Sequence, residues 1–338
     1  MTDADVLVVG GGPVGLAAAI EARLAGLSVS VLEPREGVID KACGEGLMPG
    51  ALPLLDRLGI NPDGMPLLGV SYRSATRRAD HLFRTGPGRG VRRTTLHAAL
   101  LSRAQELGVQ RVVTRVDSVV QDAAGVTAGG LRGAWLFGAD GLHSTVRRLV
   151  GLERPVRGAR RYGLTRHYEL APWSSFIEVH WTRGAEIYVT PVSPGLVGIA
   201  MLGAPRGDFG SVIAGIPELA DRLAGLDSST KLRGAGPFRQ RAARPSSGRV
   251  LLLGDASGYV DAITGEGLRL GFEQGRLAVD HVVGAGDYDR QWRRATRNFR
   301  VLTGQLVTAA TSPLRPAIVP AAARLPGLYG AVVERLAR

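Results

Sequence analysis

The feature that most constrains the fold of this chain is a glycine-rich turn near its start. An apolar run, Val6–Val9, leads into Gly10–Gly15 (GGGPVG), and apolar residues at helical spacing follow as far as Gly26. A second apolar run, Ser28–Leu32, ends on the acid Glu33. A strand, a glycine turn, a helix and a second strand in this order predict a βαβ unit that binds a dinucleotide.

Each glycine of this turn has its own physical role. Gly10 permits the tight turn, Gly12 lets backbone N–H groups approach a pyrophosphate, and Gly15 lets the helix pack closely on the strand. The helix N-terminus then faces the phosphates. Glu33 lies eighteen residues after Gly15, about where an acid accepts hydrogen bonds from an adenosine ribose. The alternative interpretation is a glycine-rich turn that binds nothing.

The net charge of +12 comes almost entirely from arginine, because Lys41 and Lys231 are the only lysines. The arginines are scattered and form no basic stripe interleaved with aromatic residues, which argues against a nucleic-acid partner. A general attraction for anions remains, and an anionic cofactor or an acidic partner protein would satisfy it. The 338 residues suffice for two packed domains, or for one domain interrupted by another.

Cys43 is the only cysteine, so the chain can form no internal disulfide or thiolate metal cluster, and we predict no metal site. The N-terminus carries acids where a signal peptide needs positive charge, and no run of about eighteen apolar residues is present. We therefore expect a cytoplasmic protein. The C-terminal tail mixes arginine with Leu, Val and Tyr, which leaves peripheral contact with a membrane open.

Hydrophobic periodicity divides the rest of the chain into strands and helices. Strands are predicted at Leu68–Ser74, Ala79–Arg84, Arg111–Gln121, Gly125–Ala128, Ala134–Phe137, Tyr162–Leu170, Ser175–Trp181, Glu186–Val192, Leu196–Leu202 and Arg249–Leu253. Helices are predicted at Gly50–Leu58, Thr94–Leu107, Gly210–Ala224, Leu268–Val283, Tyr288–Arg300, Val301–Ala310 and Ile318–Ala323. The strands between about Arg154 and Pro245 indicate an antiparallel sheet inserted into the nucleotide-binding domain.

Three glycine-acid sites in one chain are far more specific than any one of them. They are Gly10–Gly15 with Glu33, Gly138–Gly141 (GADG) followed by Ser144 and Arg147, and Gly254–Ala256 (GDA). Over most of residues 1–300 this set resembles the FAD-dependent monooxygenase superfamily with the p-hydroxybenzoate hydroxylase fold. The helix that begins at Arg93 is similar to the superfamily helix whose arginine reaches the flavin nucleotide.

Two local segments look more like the geranylgeranyl reductase branch of that superfamily. They are Lys41–Leu47 (KACGEGL) and Thr264–Gly267 (TGEG). In the resembling families the Cys-Gly stretch lies by the flavin ring and the Gly-x-Gly segment meets its pyrimidine end. The chain departs from those reductases at Tyr188–Pro191 (YVTP), where they have a Tyr-x-Trp-x-Phe-Pro strand with bulky aromatic residues.

The resemblance implies an α/β fold with a Rossmann-like FAD-binding domain, an inserted antiparallel-sheet substrate domain and a helical C-terminus. The implied FAD-binding domain comprises residues 1–62, 91–153 and 246–285. The substrate domain comprises residues 63–90 and 154–245, and residues 286–338 form the C-terminal helices. FAD is the implied cofactor, and NAD(P)H is a transient reductant because no second complete glycine fingerprint is visible.

The candidate cofactor-binding residues follow from these motifs. They are Gly10, Gly12, Pro13, Gly15, Glu33, Arg35, Cys43, Gly44, Arg93, Asp140, Gly254, Asp255, Gly265 and Gly267. Asp255 can accept hydrogen bonds from ribityl or ribose hydroxyls, and the amides at the start of the helix after Gly265 can polarise the flavin ring. Asp140 either accepts from a nicotinamide nucleotide or holds the cofactor loop.

Cys43 and Glu45 are the candidate catalytic residues. Cys43 adjusts flavin access, shuttles a proton, or is only a small buried hydrophobe. Glu45 is either an acid or base near the flavin or a solvated hydrogen-bond acceptor, and Glu266 is predicted to cap its helix.

Other polar and aromatic side chains give weaker signals. We predict His97 on a helix surface, and only His167 and His180 among the histidines could face a substrate. At least one of Trp173, Trp181, Tyr162 and Tyr188 is expected to line an aromatic pocket.

Three functions remain open at this stage. The leading hypothesis is an FAD-dependent monooxygenase that uses NAD(P)H and O₂ to hydroxylate or epoxidise an aromatic, quinone or polyketide-like molecule. The second is a flavin oxidoreductase, similar to geranylgeranyl reductase, that reduces alkenes of an isoprenoid or lipid. The third is a flavoprotein that modifies a partner protein or assists its maturation. The sequence does not fix the substrate or the oligomeric state.

Overall fold

A computed structural model describes residues 2–158, 160–204 and 207–338. Its strands, in chain order, are β1 (Ala4–Val9), β2 (Val29–Leu32), β3 (Gly46–Leu47), β4 (Met65–Leu67), β5 (Gly69–Arg73), β6 (Arg78–Leu82), β7 (Gly88–Gly90), β8 (Gln110–Val112), β9 (Val119–Gln121), β10 (Val126–Ala128), β11 (Leu131–Gly138), β12 (Glu153–Arg154), β13 (Tyr162–Glu169), β14 (Phe176–Trp181), β15 (Ala185–Ser193), β16 (Leu196–Gly203), β17 (Arg233–Ala235), β18 (Arg241–Ala242), β19 (Ser246–Ser247) and β20 (Val250–Leu252).

The α-helices connect and cover these strands. They are α1 (Pro13–Leu24), α2 (Leu52–Arg57), α3 (Arg93–Glu106), α4 (Thr145–Leu149), α5 (Phe209–Ala214), α6 (Pro217–Leu223), α7 (Gly267–Val282), α8 (Tyr288–Ala310), α9 (Ile318–Arg324) and α10 (Pro326–Ala337). Short 3-10 turns form at Pro49–Ala51, Gly254–Ser257 and Arg315–Ala317.

The first sheet is the predicted nucleotide-binding core. Its main path runs β19-β20-β11-β1-β2-β8, and β1 pairs in parallel with both β2 and β11. The side chains of β1 and β2 are almost entirely buried because helices cover the sheet, and α1 and α7 pack on each other. The carboxyl ends of β1, β11 and β20 therefore meet at one edge, which brings the three glycine-acid turns together.

The second sheet joins segments that are far apart in sequence. Its order is β17-β13-β16-β15-β14-β5-β6, so the hairpin of β5 and β6 extends the sheet formed by residues 162–235. The pairing is antiparallel, as expected, except between β5 and β14, which are parallel. A small third sheet consists of β3, β7 and β4, and β3 is the end of the Lys41–Leu47 segment.

Two sequence predictions merged elements that the structure separates. The predicted strand Arg111–Gln121 is two strands, because β8 pairs with β2 and β9 pairs with β10, and the residues between them leave the sheet. The predicted helix Gly210–Ala224 is also two helices. Ile216 precedes Pro217 and adopts an extended conformation, which a residue before proline prefers.

The C-terminal region differs in the opposite way. The predicted helices Tyr288–Arg300 and Val301–Ala310 are one continuous helix, α8, because no proline breaks it and its buried positions keep helical spacing. The prediction missed α10 because Pro326 was taken as a separator. Proline is well suited to the first turn of a helix, where its missing N–H has no partner to lose, and Pro326 begins α10.

The C-terminal helices pack against both sheets. In α8, Tyr288 and Trp292 are buried in the nucleotide-binding core, and α9 and α10 pack on β6. Within the described residues no single helix is long and apolar enough to span a membrane, and one bent pair, Arg315–Arg324 with Pro326–Ala337, passes that test by length and composition.

Candidate active site

The glycine turn adopts the geometry that its sequence predicts. Gly10 has φ +107°, and a Cβ there would lie 2.5 Å from the carbonyl oxygen of Ala139. A Cβ on Gly15 would lie 1.9 Å from the carbonyl oxygen of Gly10, so the packing of α1 on β1 requires glycine. A Cβ on Gly12 would meet no protein atom within 4 Å. The backbone at Gly12 therefore faces open space at the N-terminus of α1.

Glu33 is buried at the end of β2 and is bound to the same turn. Its carboxylate accepts hydrogen bonds from the backbone N–H of Gly11 at 2.9 Å and from the guanidinium of Arg35 at 2.7 Å. Burial alone would raise the pKa of Glu33, but the hydrogen bonds from Arg35 and Gly11 outweigh it and hold the pKa below its usual range. The site thus presents an ionised acid.

His97 lies inside the protein rather than on a helix surface, so that prediction was wrong. Its side chain is fully buried, Nε2 donates to the carbonyl oxygen of Gly11 at 2.8 Å, and Nδ1 accepts from the N–H of Ile39 at 3.3 Å. Burial lowers the pKa of His97, so the ring is neutral and keeps this single tautomer. His97 therefore ties the glycine turn to the segment that follows β2.

The second glycine-acid site begins α4. Asp140 accepts a hydrogen bond from the Ser144 hydroxyl at 2.5 Å and one from the N–H of Val146 at 3.0 Å. Arg147 is fully buried and donates to the carbonyl oxygen of Ala256 at 3.1 Å. Asp140 holds the loop, which was one of its two predicted roles, and Arg147 fastens this loop to the third site.

The third glycine-acid site places Asp255 at the cavity. Burial raises the pKa of the Asp255 carboxyl, although the charges of Lys41, Arg93 and Arg147 act in the opposite direction. None of the described residues donates a hydrogen bond to this carboxylate. Arg93 is also buried there, and its Nε has no hydrogen-bond partner among the described residues. Both groups are therefore available to a ligand.

The Lys41–Leu47 segment is anchored by a buried network around Glu45. Glu45 has φ +59°, its carboxylate accepts from Arg92 at 2.7 Å and from the N–H of Arg93 at 2.8 Å, and it lies 2.6 Å from His167 Nε2. Because Glu45 is 4% exposed, the prediction of a solvated acceptor was wrong. These bonds hold the segment in a left-handed conformation that a non-glycine residue rarely adopts. A role of Glu45 as an acid or base stays a prediction.

Two threonines of the second sheet fasten the neighbouring residues. The Thr165 hydroxyl donates to the Cys43 carbonyl at 3.3 Å, and the Thr190 hydroxyl donates to the Gly44 carbonyl at 2.9 Å. A Cβ on Gly44 would meet nothing within 4 Å, so this backbone faces open space. The Cys43 thiol accepts weakly from the N–H of Glu45 at 3.4 Å, and the side chain is partly exposed at the cavity.

The turn before α7 also faces open space. Gly265 has φ +71°, and neither its Cβ position nor that of Gly44 meets a protein atom within 4 Å. The Glu266 side chain does not cap α7, contrary to prediction, but contacts Arg269 at 2.5 Å. Burial raises the pKa of Glu266 to about 7 despite this contact.

These elements enclose one cavity of about 610 Å³. All the predicted cofactor-binding residues line it except Gly15 and Gly254, which instead allow close packing on Gly10 and Val14. At one end, next to Glu33, the wall includes Thr114, Arg115 and Val116. At the other end the second sheet supplies mostly apolar side chains. They include Val70, Tyr72, Leu164, Ile177, Val179, Tyr188 and Leu202, and Phe238, Tyr259 and Val333 join them from outside the sheet.

The aromatic wall includes one of the four candidate aromatic residues. Tyr188 lines the cavity, and its hydroxyl donates to the Ile263 carbonyl at 2.8 Å, whereas Trp173, Trp181 and Tyr162 do not line it. His167 and His180 do not face it either, because His167 contacts Glu45 and His180 contacts Glu178 at 3.4 Å. Among the described residues no His, Cys, Asp and Glu cluster could hold a metal ion.

Sequence reasoning assigned no cofactor-site role to several residues that shape this cavity. Lys41 lines the wall between Gly141 and Asp255, and His97 and Arg147 fix the turns. Lys41 was detectable, since it is one of only two lysines in the chain. The roles of His97 and Arg147 depend on partners 86 and 109 residues away in sequence, which no local pattern indicates.

The cavity fits an extended dinucleotide that carries a flat ring. Gly12, Gly44 and Gly265 each leave open backbone at its wall, and the buried Nε of Arg93 has no partner among the described residues. The N-termini of α1 and α7 point partial positive charge at this edge of the sheet, where a pyrophosphate and an electron-rich ring would be stabilised. Fold and site together define a flavoprotein.

Comparison with known proteins identifies the family. The family described as FAD binding domain matches residues 3–181, and the chain belongs to it. The protein is an FAD-dependent oxidoreductase, with FAD as cofactor and NAD(P)H as transient reductant.

Two relatives and one solved structure illustrate the range of similar proteins. Menaquinone reductase of Mycolicibacterium smegmatis is 31% identical, over 86% of this chain and 80% of that protein. A 12-dehydrotetracycline 5-monooxygenase/anhydrotetracycline 6-monooxygenase of Streptomyces rimosus is 29% identical, over 80% of this chain and 60% of that protein. The crystal structure of a flavoprotein/dehydrogenase from Cytophaga hutchinsonii has a TM-score of 0.84 at 19% identity, over 99% of this chain and 92% of that chain.

Proposed function

We propose that the protein is an FAD-dependent monooxygenase that transfers one oxygen atom from O₂ to an aromatic, quinone or polyketide-like small molecule. The observation that carries the proposal is a cavity in which the cofactor-binding turns meet an apolar, aromatic wall. The similarity to a monooxygenase named for anhydrotetracycline supports the same substrate class. The balanced reaction consumes substrate, O₂, NAD(P)H and a proton, and it yields the oxygenated product, water and NAD(P)⁺.

Bound FAD would supply the hydride and oxygen chemistry, and the chain would hold it in place. Gly12 and the N-terminus of α1 would receive the pyrophosphate, with Arg93 and Lys41 as nearby positive charges. Glu33 would accept from the adenosine ribose, and Asp255 from hydroxyls nearer the ring. The N-terminus of α7 at Gly265–Gly267 would stabilise negative charge at the pyrimidine end of the ring.

The second sheet would position the substrate and exclude water. Tyr72, Tyr188 and Phe238 offer flat apolar faces next to Gly44 and Gly265, where the ring would lie. Val70, Ile177 and Val179 complete an apolar wall that limits the access of water to the reacting atoms. Cys43 precedes Gly44 and is partly exposed at the cavity, and we propose that it adjusts access to the ring.

The proposal is tested by following NAD(P)H oxidation and O₂ uptake by the FAD-loaded enzyme with a panel of phenols, quinones and polycyclic phenolic compounds. We expect at least one compound to accelerate both rates and to yield a product heavier by one oxygen atom. Accelerated NAD(P)H oxidation that releases only hydrogen peroxide for every compound would contradict the proposal. Tyr188→Ala should raise KM for the active compound while Tyr168→Ala, outside the cavity, should not.

A second candidate is a reductase that passes a hydride to an alkene or quinone. The similarity to menaquinone reductase, together with the Cys43-Gly44 and Thr264–Gly267 segments, favours it. In that reaction the product gains two hydrogen atoms, and O₂ is not consumed. Anaerobic turnover of an isoprenoid quinone would therefore establish this reading, whereas turnover that stops when O₂ is removed supports the monooxygenase.

A further inference from the structure

An exposed apolar segment precedes and includes the start of α10. Residues 313–328, here called the C-terminal band, expose three leucines within fifteen residues. Leu314 is 67% exposed, Leu325 is 54% exposed and Leu328 is 62% exposed. Exposed prolines and alanines lie between them, and Arg324 is the only exposed charged residue of the band. Single exposed leucines are common on protein surfaces, but a run of this kind indicates an interaction surface.

The exposed charge within the C-terminal band is positive, because Arg324 is exposed and the band contains no acid. Arg183 is also exposed. It lies beside the band, since the carbonyl of the neighbouring Thr182 accepts a hydrogen bond from Arg315 at 2.7 Å. Exposed leucines combined with Arg183 and Arg324 match the surface of an anionic lipid bilayer, which offers apolar depth and negative headgroups.

The helices behind the band are fixed to the body of the protein. The Tyr329 hydroxyl donates to the Val70 carbonyl at 3.1 Å, and His81 Nε2 contacts Glu334 at 2.9 Å. Val333 and Leu336 on the inner side of α10 line the cavity. The helical segments Arg315–Arg324 and Pro326–Ala337 are bent by 106° relative to each other. This arrangement favours shallow contact of the exposed leucines with a bilayer over insertion of the whole helix pair.

We propose that the C-terminal band docks the protein on the surface of an anionic membrane. Leu314, Leu325 and Leu328 enter the interface, and Arg183 and Arg324 contact the headgroups. A second copy of the chain fits less well, since a two-fold contact through this band would bring its arginines against one another. The docking does not depend on the proposed reaction, but it would place the bilayer next to the helix that forms part of the substrate cavity.

Vesicle co-sedimentation of the FAD-loaded protein tests the proposal. The vesicles contain phosphatidylglycerol with phosphatidylcholine, or phosphatidylcholine alone. We expect binding to the anionic vesicles that weakens at high salt. Leu325→Ser with Leu328→Ser should reduce binding by about tenfold. Arg183→Gln with Arg324→Gln should reduce it severalfold while leaving the flavin content unchanged.

Matched controls use exposed residues outside the C-terminal band. Val113 and Val120 are 56% and 67% exposed, and Val113→Ser with Val120→Ser should leave vesicle binding unchanged. Arg148→Gln with Arg157→Gln removes the same charge from another exposed region and should have a smaller effect.

Three results would overturn the proposal. They are no sedimentation of the FAD-loaded wild-type protein with anionic vesicles, equal loss of binding in the valine control, and conversion of a dimer to a monomer by the leucine substitutions in sedimentation velocity. The last result would assign the band to a second copy of the chain. None of these measurements uses turnover, so they do not bear on the proposed reaction.

Discussion

The two ends of the cavity are built from different kinds of interaction. At the cofactor end, short polar contacts within and between loops fix the backbone, as in the bonds from Gly11 to Glu33 and from His97 to Gly11. At the substrate end, side chains from segments as distant as Val70, Tyr188 and Val333 form the wall by packing. The first end is specified by residue type at fixed positions, and the second by the sum of many apolar surfaces.

This difference predicts how each end responds to substitution. Replacing a residue at the cofactor end should either break the backbone geometry or remove a ligand contact, and the two effects are separable. Replacing a residue at the substrate end should change substrate binding with little effect on the flavin.

Gly15→Ala should destabilise the protein by about 3 kcal/mol or more, because the new Cβ would lie 1.9 Å from the carbonyl oxygen of Gly10. Gly12→Ala is the matched control, since its Cβ meets nothing within 4 Å. We expect it to change the free energy of unfolding of the flavin-free protein by less than about 1 kcal/mol. It should nevertheless lower FAD affinity. Urea unfolding and FAD titration of both variants separate the two effects, and equal stability losses would contradict the account.

The buried Glu266 should make stability depend on pH. Its folded pKa of about 7 lies above its ordinary value of 4.5, so the folded state binds more protons between these pH values. The free energy of unfolding should therefore fall as pH rises from about 4.5 to about 7, by on the order of 3 kcal/mol from this group. Glu266→Gln should remove that dependence. The free energies of unfolding of wild type and variant are compared across this pH window. If the wild type gains stability relative to the variant as pH rises, the contact with Arg269 outweighs burial at Glu266.

Glu45→Gln should cost about 2 kcal/mol of stability, because it weakens a buried bond to the Arg92 guanidinium. The matched control is Glu106→Gln, which removes an exposed pair with Arg103 and should cost less than about 0.5 kcal/mol. If Glu45 serves only to hold the Lys41–Leu47 segment, the pH profile of turnover should keep its shape in Glu45→Gln. If the Glu45→Gln profile instead loses its acidic or its basic limb, Glu45 takes part in acid or base chemistry.

Tyr188→Phe should lower the free energy of unfolding by only about 1 kcal/mol, because it removes one hydrogen bond to the Ile263 carbonyl. We expect an altered KM for substrate with unchanged FAD affinity. Tyr168→Phe is the control, since none of the described residues bonds to its hydroxyl and it lies outside the cavity. A drop in FAD affinity for Tyr188→Phe would contradict the separation of the cofactor end from the substrate end.

The same contrast explains what the sequence could predict. The turns at Gly10, Asp140 and Asp255 were recognisable because glycines and an acid at fixed spacing follow a strand. Tyr188 could be proposed as a cavity residue but not distinguished from Trp181. Side chains alternate between the two faces of a strand, and the sequence does not show which face meets the cavity. The networks of His97 and Glu45 were missed because their partners lie 86 and 122 residues away. Their positions follow from the packing of the two sheets.

The central claim is that oxygen transfer takes place where the two ends of the cavity meet. The most direct test is turnover of an active compound under oxygen-18 gas, followed by mass spectrometry of the product. We predict that one labelled oxygen atom enters the product and that none enters when the label is supplied as water. Unlabelled product, or product that gains two hydrogen atoms without O₂, would contradict the claim and assign the cavity to a reductase.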